Sequence, residues 1–436
     1  MTEHDDVDAS WPALETVQSI LISMTAMVAA AAPLALPVMI AILALMTLAE
    51  RWHQAGPVRP YTGQLTLNLP ALTAIAFIAF ATLSTLWSVK PSYSLKSLAQ
   101  ASLVGMASWY VAITVSQQME KLGKVRRIRF LRALSIPALI IALYFSIEYL
   151  TGDAVTLFFA RNFPSLFDGF ENTFVYDANQ KLVGLDDSYF NRIAAALTLL
   201  TVAIVGSFQF WPSRKLGVVL GIVVSIGMIT VCLKSGSATA VLVFSASALV
   251  FAFALWSSKA ATRILQAALI IITAAAIPLS MVPKSLSLDI NENLPTSFRE
   301  RAVIWHDVAH MALERPWFGF GVKSLKFTQR WEPRREQASG AAATKLRTYA
   351  HPHNGYLQVW VELGVVGAIL FALAGWCALN EIMFLPQAMQ KFALALAAGT
   401  LTVIGPAWDI WQPWLIAAIG FSWIALMMLR AEFELT

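Results

Sequence analysis

HPHNGYLQVWVELGVVGAILFALAGWCALN, residues 351–380, carries a polar segment with two histidines straight into an apolar run long enough to cross a bilayer. Pro352 suits the first turn of a helix, because its missing N–H would have no intrahelical acceptor there. That reading puts His353 in the opening turn, at the boundary between water and membrane. At about 100° per residue, Trp360, Gly364, Gly367 and Phe371 come back to the face of His353. The two glycines then offer a seam against which a neighbouring helix can pack closely, as small residues do in bilayers. The remainder of the chain is organised around that rim.

Working outward, apolar runs of similar length recur along all 436 residues, of which 58% are hydrophobic and 13% charged. Such a composition excludes a water-soluble globule and identifies an all-α polytopic membrane protein. Spans are expected near 15–31, 34–50, 66–87, 92–115, 130–150, 188–208, 215–233, 235–256, 262–281, 353–380, 390–407 and 410–430. That makes about 12 transmembrane helices in one integral membrane domain, 1–436. Residues 15–50 are almost continuously apolar; Pro33 and Pro37 argue for a tight hairpin, one long helix is the other reading, and the sequence leaves both open. The acidic N-terminus, MTEHDDVDAS, lacks the basic region of a secretory signal peptide, so the first span is expected to be retained.

The distribution of basic residues sets the orientation. With a cytoplasmic N-terminus, the short cytoplasmic connections collect most Lys and Arg, above all the run KLGKVRRIRFLR at 121–132. The short connections on the other side hold little beyond Lys90 and Lys234. Both termini are then cytoplasmic, and two long loops, near 151–187 and 282–352, lie outside. Loops of that length exceed what joins adjacent helices and mark where function is to be sought. The second contains a helical stretch, SFRERAVIWHDVAHMALERP, then the glycine-rich turn WFGFG and a basic run from Lys323 to Arg347. The net charge of +5 is spread over loops and needs no nucleic acid to explain it. Cys232 and Cys377 both fall in expected spans, too few for a disulfide framework.

Four groups of residues could carry chemistry. A lone histidine at an interface is most often bonded to a loop carbonyl. At a helix N-terminus, however, His353 is kept neutral by the positive end of the helix dipole, which suits a general base. His351 could support it as a second polar contact. Arg192 sits one turn inside the span that follows LDDSYF, where a cation is costly and calls for an anionic partner such as Asp186, Asp187 or a ligand. Ser188 or Asp187 would cap that helix. Arg299 and Arg301, with Trp305 one turn later, and Arg161 in the first loop read singly as solvated charges. Together with Arg192 they are what binding a diphosphate at a membrane surface requires. His306 and His310, in HDVAH, resemble a zinc pair with Asp307 in place of the glutamate base, and with His351 and His353 give four ligands on paper. The missing glutamate argues against it, and no metal is expected.

These residues also resemble a family. His353-Asn354, nine residues, then Gly364-Val-Val-Gly367 is similar to the H-N-x9-G-x-x-G signature of bacterial O-antigen ligases. RAVIW (301–305) and RPWFGFG (315–321) resemble the arginine-tryptophan and P-x-x-G-x-G elements of the wider ligase and polymerase superfamily. The sequence departs from many relatives at KSGSATA (234–240), where an arginine after the serine would be usual. The resemblance implies a GT-C-like glycosyltransferase of the inner membrane, without metal or other cofactor, active on the periplasmic face. Its donor would be O-antigen on undecaprenyl pyrophosphate and its acceptor the lipid A-core of lipopolysaccharide. His353 would be the base, and Arg192, Arg301, Arg299 and Arg161 would hold the pyrophosphate. An O-antigen polymerase or a protein O-oligosaccharyltransferase would use the same donor. The latter would be expected to carry extra sequence after the last span, where this chain has six residues. A flippase for lipid-linked sugars should gather its charges near the bilayer midplane, whereas here they collect at one rim.

Overall fold

The computed structural model describes residues 12–55, 68–167, 174–186, 188–328, 351–406 and 408–434. Within them the chain is almost wholly helical, as expected. The first two spans form the hairpin: α1 (Pro12–Ala31) and α2 (Leu36–Ala55) are joined by a short turn at Pro33–Ala35. Next come α3 (Leu69–Ser84), α4 (Pro91–Lys121), α5 (Lys124–Thr151), the short α6 (Ala154–Asn162) and a hairpin of β1 (Phe174–Tyr176) with β2 (Leu182–Leu185). Three spans follow: α7 (Ser188–Ser207), α8 (Arg214–Lys234) and α9 (Ala238–Trp256). Then come α10 (Ser258–Ala274), α11 (Ala276–Ser285) and α12 (Thr296–Glu314). The chain ends with α13 (Gly355–Glu381), α14 (Gln387–Ile404), α15 (Pro413–Met428) and the short α16 (Arg430–Phe433).

Among the described residues nine helices are long and apolar enough to cross a membrane, and the pair α10–α11 is a tenth if its 66° bend is counted within one span. The expected span 262–281 is therefore corrected to two helices that meet at Ala275. The expectation of about twelve spans is likewise corrected to nine, or ten with the bent pair, among the described residues: the apolar part of α1 over Ile20–Ala31 is too short, and α14 is not among the candidate spans. Asn68, Ser213, Ser237 and Ser257 cap the helices after them with side-chain oxygens. In hydrocarbon an orphaned N–H is more costly than in water, which makes such caps more valuable.

Small residues let the helices approach. A Cβ on Gly227 of α8 would lie 2.6 Å from Ala142 Cα of α5, so only a hydrogen fits between those two backbones. α7 is buried along most of its length, with Ala194, Ala195 and Ala196 in the core beside Phe145 and Phe190. Ser and Thr in the spans donate back to carbonyls three or four residues earlier, as Thr198 does to Ala194 and Thr201 to Leu197.

The two ends of the bundle differ. One carries the connection between α4 and α5, where buried Arg127 pairs with Glu432 at 2.5 Å and also donates to Leu122 O. The other gathers the described parts of both long loops with the α3–α4 and α14–α15 connections.

Candidate functional site

The site is assembled by backbone pairing. α13 is not continuous: Gly364 has φ 65° and ψ −162°, a conformation open essentially to glycine, and it interrupts the helical ladder. The groups freed by that break are paired with the RPWFGFG turn. Phe320 N donates to Val361 O at 2.9 Å and Gly321 N to Glu362 O at 2.8 Å. On the far side of the break Val365 N donates to Pro316 O at 2.7 Å and Val366 N to Trp317 O at 3.3 Å. Gly319 and Gly321 also have positive φ, 64° and 89°. A Cβ on Gly319 would lie 2.5 Å from Leu363 N, and one on Gly364 2.6 Å from Phe318 N. The two glycine motifs seen in the sequence are therefore the two halves of one interlock. This corrects the reading of Gly364 and Gly367 as a helical seam aligned with His353: the break removes that common face.

A second correction concerns His353 itself. It is not in the opening turn of α13. Asn354 is the N-cap, accepting from Leu357 N at 3.1 Å, and His353 precedes it with φ 51°. An asparagine cap satisfies an orphan N–H directly, which outweighs the preference of Pro352 for a first helical turn. His353 still stands off the positive end of the helix. Its ring lies 4.2 Å from that of His351, centroid to centroid.

The nine residues Gly355 to Leu363 thus form a short segment that ends at the break and carries the histidine turn at its start. It is docked on every side. Gly355 N donates to Gly405 O at 3.2 Å, Tyr356 Oη to Leu401 O at 2.8 Å and Trp360 Nε1 to Thr273 O at 2.7 Å. Asn354 Nδ2 donates to Ser280 Oγ of α11 at 3.4 Å.

α12 packs against this segment through Ile304, Val308 and Met311, which share a core with Leu357 and Val361. The helical expectation for SFRERAVIWHDVAHMALERP is met. Both elements end at the interlocked turn, so they run side by side in the same direction. Arg301 is about 20 Å of helix before Glu314, and Gly355 about 14 Å before Gly364, at 1.5 Å per residue. Arg301 therefore lies toward the end of α12 that is away from the interlock, as the histidine turn does on α13. It is half-buried, burial pushes its guanidinium below the ordinary arginine value, and no carboxylate among the described residues pairs with it. Arg299, on the same helix, donates to Thr296 Oγ1 at 3.2 Å.

Arg192 reaches the same region from the other side. Its guanidinium lies 5.8 Å from the ring of Trp408, in the α14–α15 connection that also receives Gly355 N. The anionic partner expected for it is not found among the described residues; a tryptophan face takes that place. Asp187 lies outside the described residues, as do Lys and Arg of the basic run beyond 328. Arg161 donates to Leu182 O at 2.5 Å and ties α6 to the β-hairpin. Lys234, at the departure in KSGSATA, is paired with Asp153 at 2.7 Å. The His306 and His310 rings meet edge to face at 4.6 Å, with Asp307 3.5 Å from His306, and no group of three metal-ligating side chains forms among the described residues.

Sequence reasoning missed a buried polar cluster beside the break. Gln358, fully buried, donates to Glu362 at 3.0 Å and to Asp409 at 2.9 Å. Trp411 donates its indole N–H to Glu362 at 2.7 Å and its backbone N–H to Asp409 at 3.0 Å. Lys323, in the turn after FGFG, forms the ion pair with Asp409. A carboxylate inside an apolar span is itself a signal of function, and Glu362 in VWVELGVVG was there to be read. Beside the interlock lies an apolar cleft of about 550 Å³ lined by Phe80, Leu83, Trp87 and residues 314–319.

The comparisons with known proteins fall on this construction. A family model described as O-antigen ligase matches residues 223–372, the stretch that holds α12, the interlocked turn and the histidine segment. Over that third of its length the chain is similar to the O-antigen ligase family. It is 25% identical over 372 residues to a Rickettsia bellii protein named as a polysaccharide ligase, covering 84% of this chain and 82% of that one. A Rickettsia conorii protein so named is 31% identical over 147 residues, and one from Rickettsia prowazekii 30% over 147. Those two matches span about a third of each relative's length, 34% and 35%.

Proposed function

We propose that this chain transfers O-antigen glycan from undecaprenyl pyrophosphate to a sugar hydroxyl of the lipid A-core, at the periplasmic face of the inner membrane. The observation that carries the proposal is the interlock. It makes one unit of the histidine signature, the arginine helix and the P-x-x-G-x-G turn, all within the segment that matches the family.

In the proposed step the acceptor oxygen forms a bond to the anomeric carbon of the donor sugar. The bond from that carbon to the pyrophosphate oxygen breaks, and undecaprenyl pyrophosphate departs with the electron pair. His353 takes the acceptor's proton, general-base work worth typically 10²- to 10⁴-fold in rate. Arg301, on α12, and Arg192, on α7, stabilise the charge that develops on the pyrophosphate. Guanidinium groups do this as permanent cations, so the scheme needs no divalent metal. Arg299 adds a further cation on α12, and His351 orients the His353 ring. Arg161 takes part from the first loop only if it leaves Leu182.

The buried charges support an enzyme over a transporter. The Lys323–Asp409–Glu362 and Lys234–Asp153 groups both sit at the end of the bundle that holds the long loops.

Purified protein supplied with lipid-linked O-antigen and lipid A-core tests the proposal. Glycan appearing on lipid A-core supports it. Lengthening of the lipid-linked glycan, with lipid A-core untouched, would replace it with a polymerase.

A further inference from the structure

We infer that Lys323 and Asp409 are positioning residues for His353, acting through Gln358 and Glu362 on the short first segment of α13. The kinetic part of this inference rests on the transfer reading above; its structural part does not.

A nine-residue helix cannot hold its own conformation, since isolated helices shorter than about 12–15 residues are marginal. Its place must come from what it is tied to. The interlock fixes the end near Gly364. Gln358 and Glu362, one helical turn apart, fix its rotation, because both engage the same neighbouring connection through Asp409 and Trp411. Two buried carboxylates meet there, and Lys323 is the cation set against them. Gln358 bridges the pair by donating to both.

Backbone conformation makes the same point. Lys323 (φ 58°) and His353 (φ 51°) are both left-handed and neither is glycine. Each such residue is strained and persists only where its surroundings over-determine it. For Lys323 the surroundings are the ion pair on one side and the buried Ser88–Ser324 hydrogen bond of 2.9 Å on the other. Removing the ammonium leaves two carboxylates in repulsion across Gln358. The face of the segment that carries Gln358 and Glu362 then turns away from Asp409, and the histidine turn moves with it.

The test uses the full-length protein with Lys323→Met, Lys323→Arg and, as control, Lys326→Met, an exposed lysine over Tyr93. In glycan transfer, Lys323→Met should lose at least about tenfold in kcat with KM for the lipid-linked donor held within about threefold, since a 1 Å misplacement costs on the order of 10². Lys323→Arg should recover most of it. The second arm needs no activity. His353→Cys is labelled with a water-soluble thiol reagent, the native Cys232 and Cys377 being buried. Adding Lys323→Met should change the labelling rate several-fold, and adding Lys326→Met should not. An unchanged rate, or an arginine variant as impaired as the methionine one, overturns the inference. If wild type transfers no glycan at all, the functional reading fails and the labelling arm still decides this one. Should Lys323→Met fail to fold, Asp409→Asn removes the charge while keeping an acceptor for Trp411 N, and the same two readouts apply.

Discussion

Gly364→Ala addresses the interlock on which the site is built. The perturbation adds one methyl at φ 65°, ψ −162°, where an L-residue is strained by about 1–3 kcal/mol. The methyl would also lie 2.6 Å from Phe318 N and closer still to the Trp317 carbonyl, all backbone atoms that cannot swing aside. The turn at 316–318 must then draw back. That stretches the bonds from Val365 N to Pro316 O and from Val366 N to Trp317 O, each worth about 1 kcal/mol net. The sum is a destabilisation of about 3–5 kcal/mol. Thermal unfolding in a mild detergent, followed by size-exclusion chromatography of the surviving fraction, measures it. Gly319→Ala should cost about as much, because its methyl would strike the other side of the same junction. The double variant should cost much less than the sum, since the first change already opens the contact. Gly105→Ala is the control: its Cβ would sit 3.8 Å from Ile416, an ordinary contact. A melting temperature for Gly364→Ala equal to that of Gly105→Ala would refute the reasoning.

Three further outcomes follow from the geometry. Trp408→Ala should raise the KM for the lipid-linked donor by severalfold, because it removes the ring face that holds Arg192, worth about 0.5–2 kcal/mol; steady-state transfer rates at varied donor check this. Burial first and Lys284 second hold His306 below its ordinary value, against the bond to Asp307. The native state therefore resists charging this ring, and stability present above about pH 6.5 falls as pH drops below it. His306→Gln should flatten that dependence in unfolding curves taken at pH 7.5 and 5.5. At the opposite end, Arg127→Met should destabilise by about 3–5 kcal/mol by leaving Glu432 buried alone, and the Arg127→Met, Glu432→Gln pair should recover part of the loss. Denaturant titration in detergent distinguishes the two.

The bundle was legible because recurring apolar length is a strong, local signal. Residues 15–50 read equally as one span or two, and the structure decides for two helices joined at Pro33–Ala35. The helix over 296–314 and the glycine turn after it were also legible, each from its own periodicity and composition. The break in α13 was not, because a glycine in an apolar run reads equally as a packing notch or a left-handed break. What decides between them is backbone pairing with Pro316–Gly321, some 45 residues away, and hydrogen bonds between main chains leave no side-chain pattern. His353 was placed one turn too far into the helix because Pro352 and Asn354 offered competing starts, and the asparagine's side-chain bond prevails. Glu362 was readable as a carboxylate in a span; its partners Lys323 and Asp409 come from two other connections that only the fold brings together. Arg192 is likewise set against Trp408, 216 residues later, by the fold rather than by anything local.

The most direct test of the central claim is transfer of lipid-linked O-antigen to lipid A-core in the presence of EDTA, with wild type, His353→Ala and Arg301→Ala compared at equal folded concentration. The account predicts transfer by wild type despite the chelator, a loss of about 10²-fold or more in His353→Ala, and a comparable loss in Arg301→Ala. Wild-type rates in His353→Ala would contradict it.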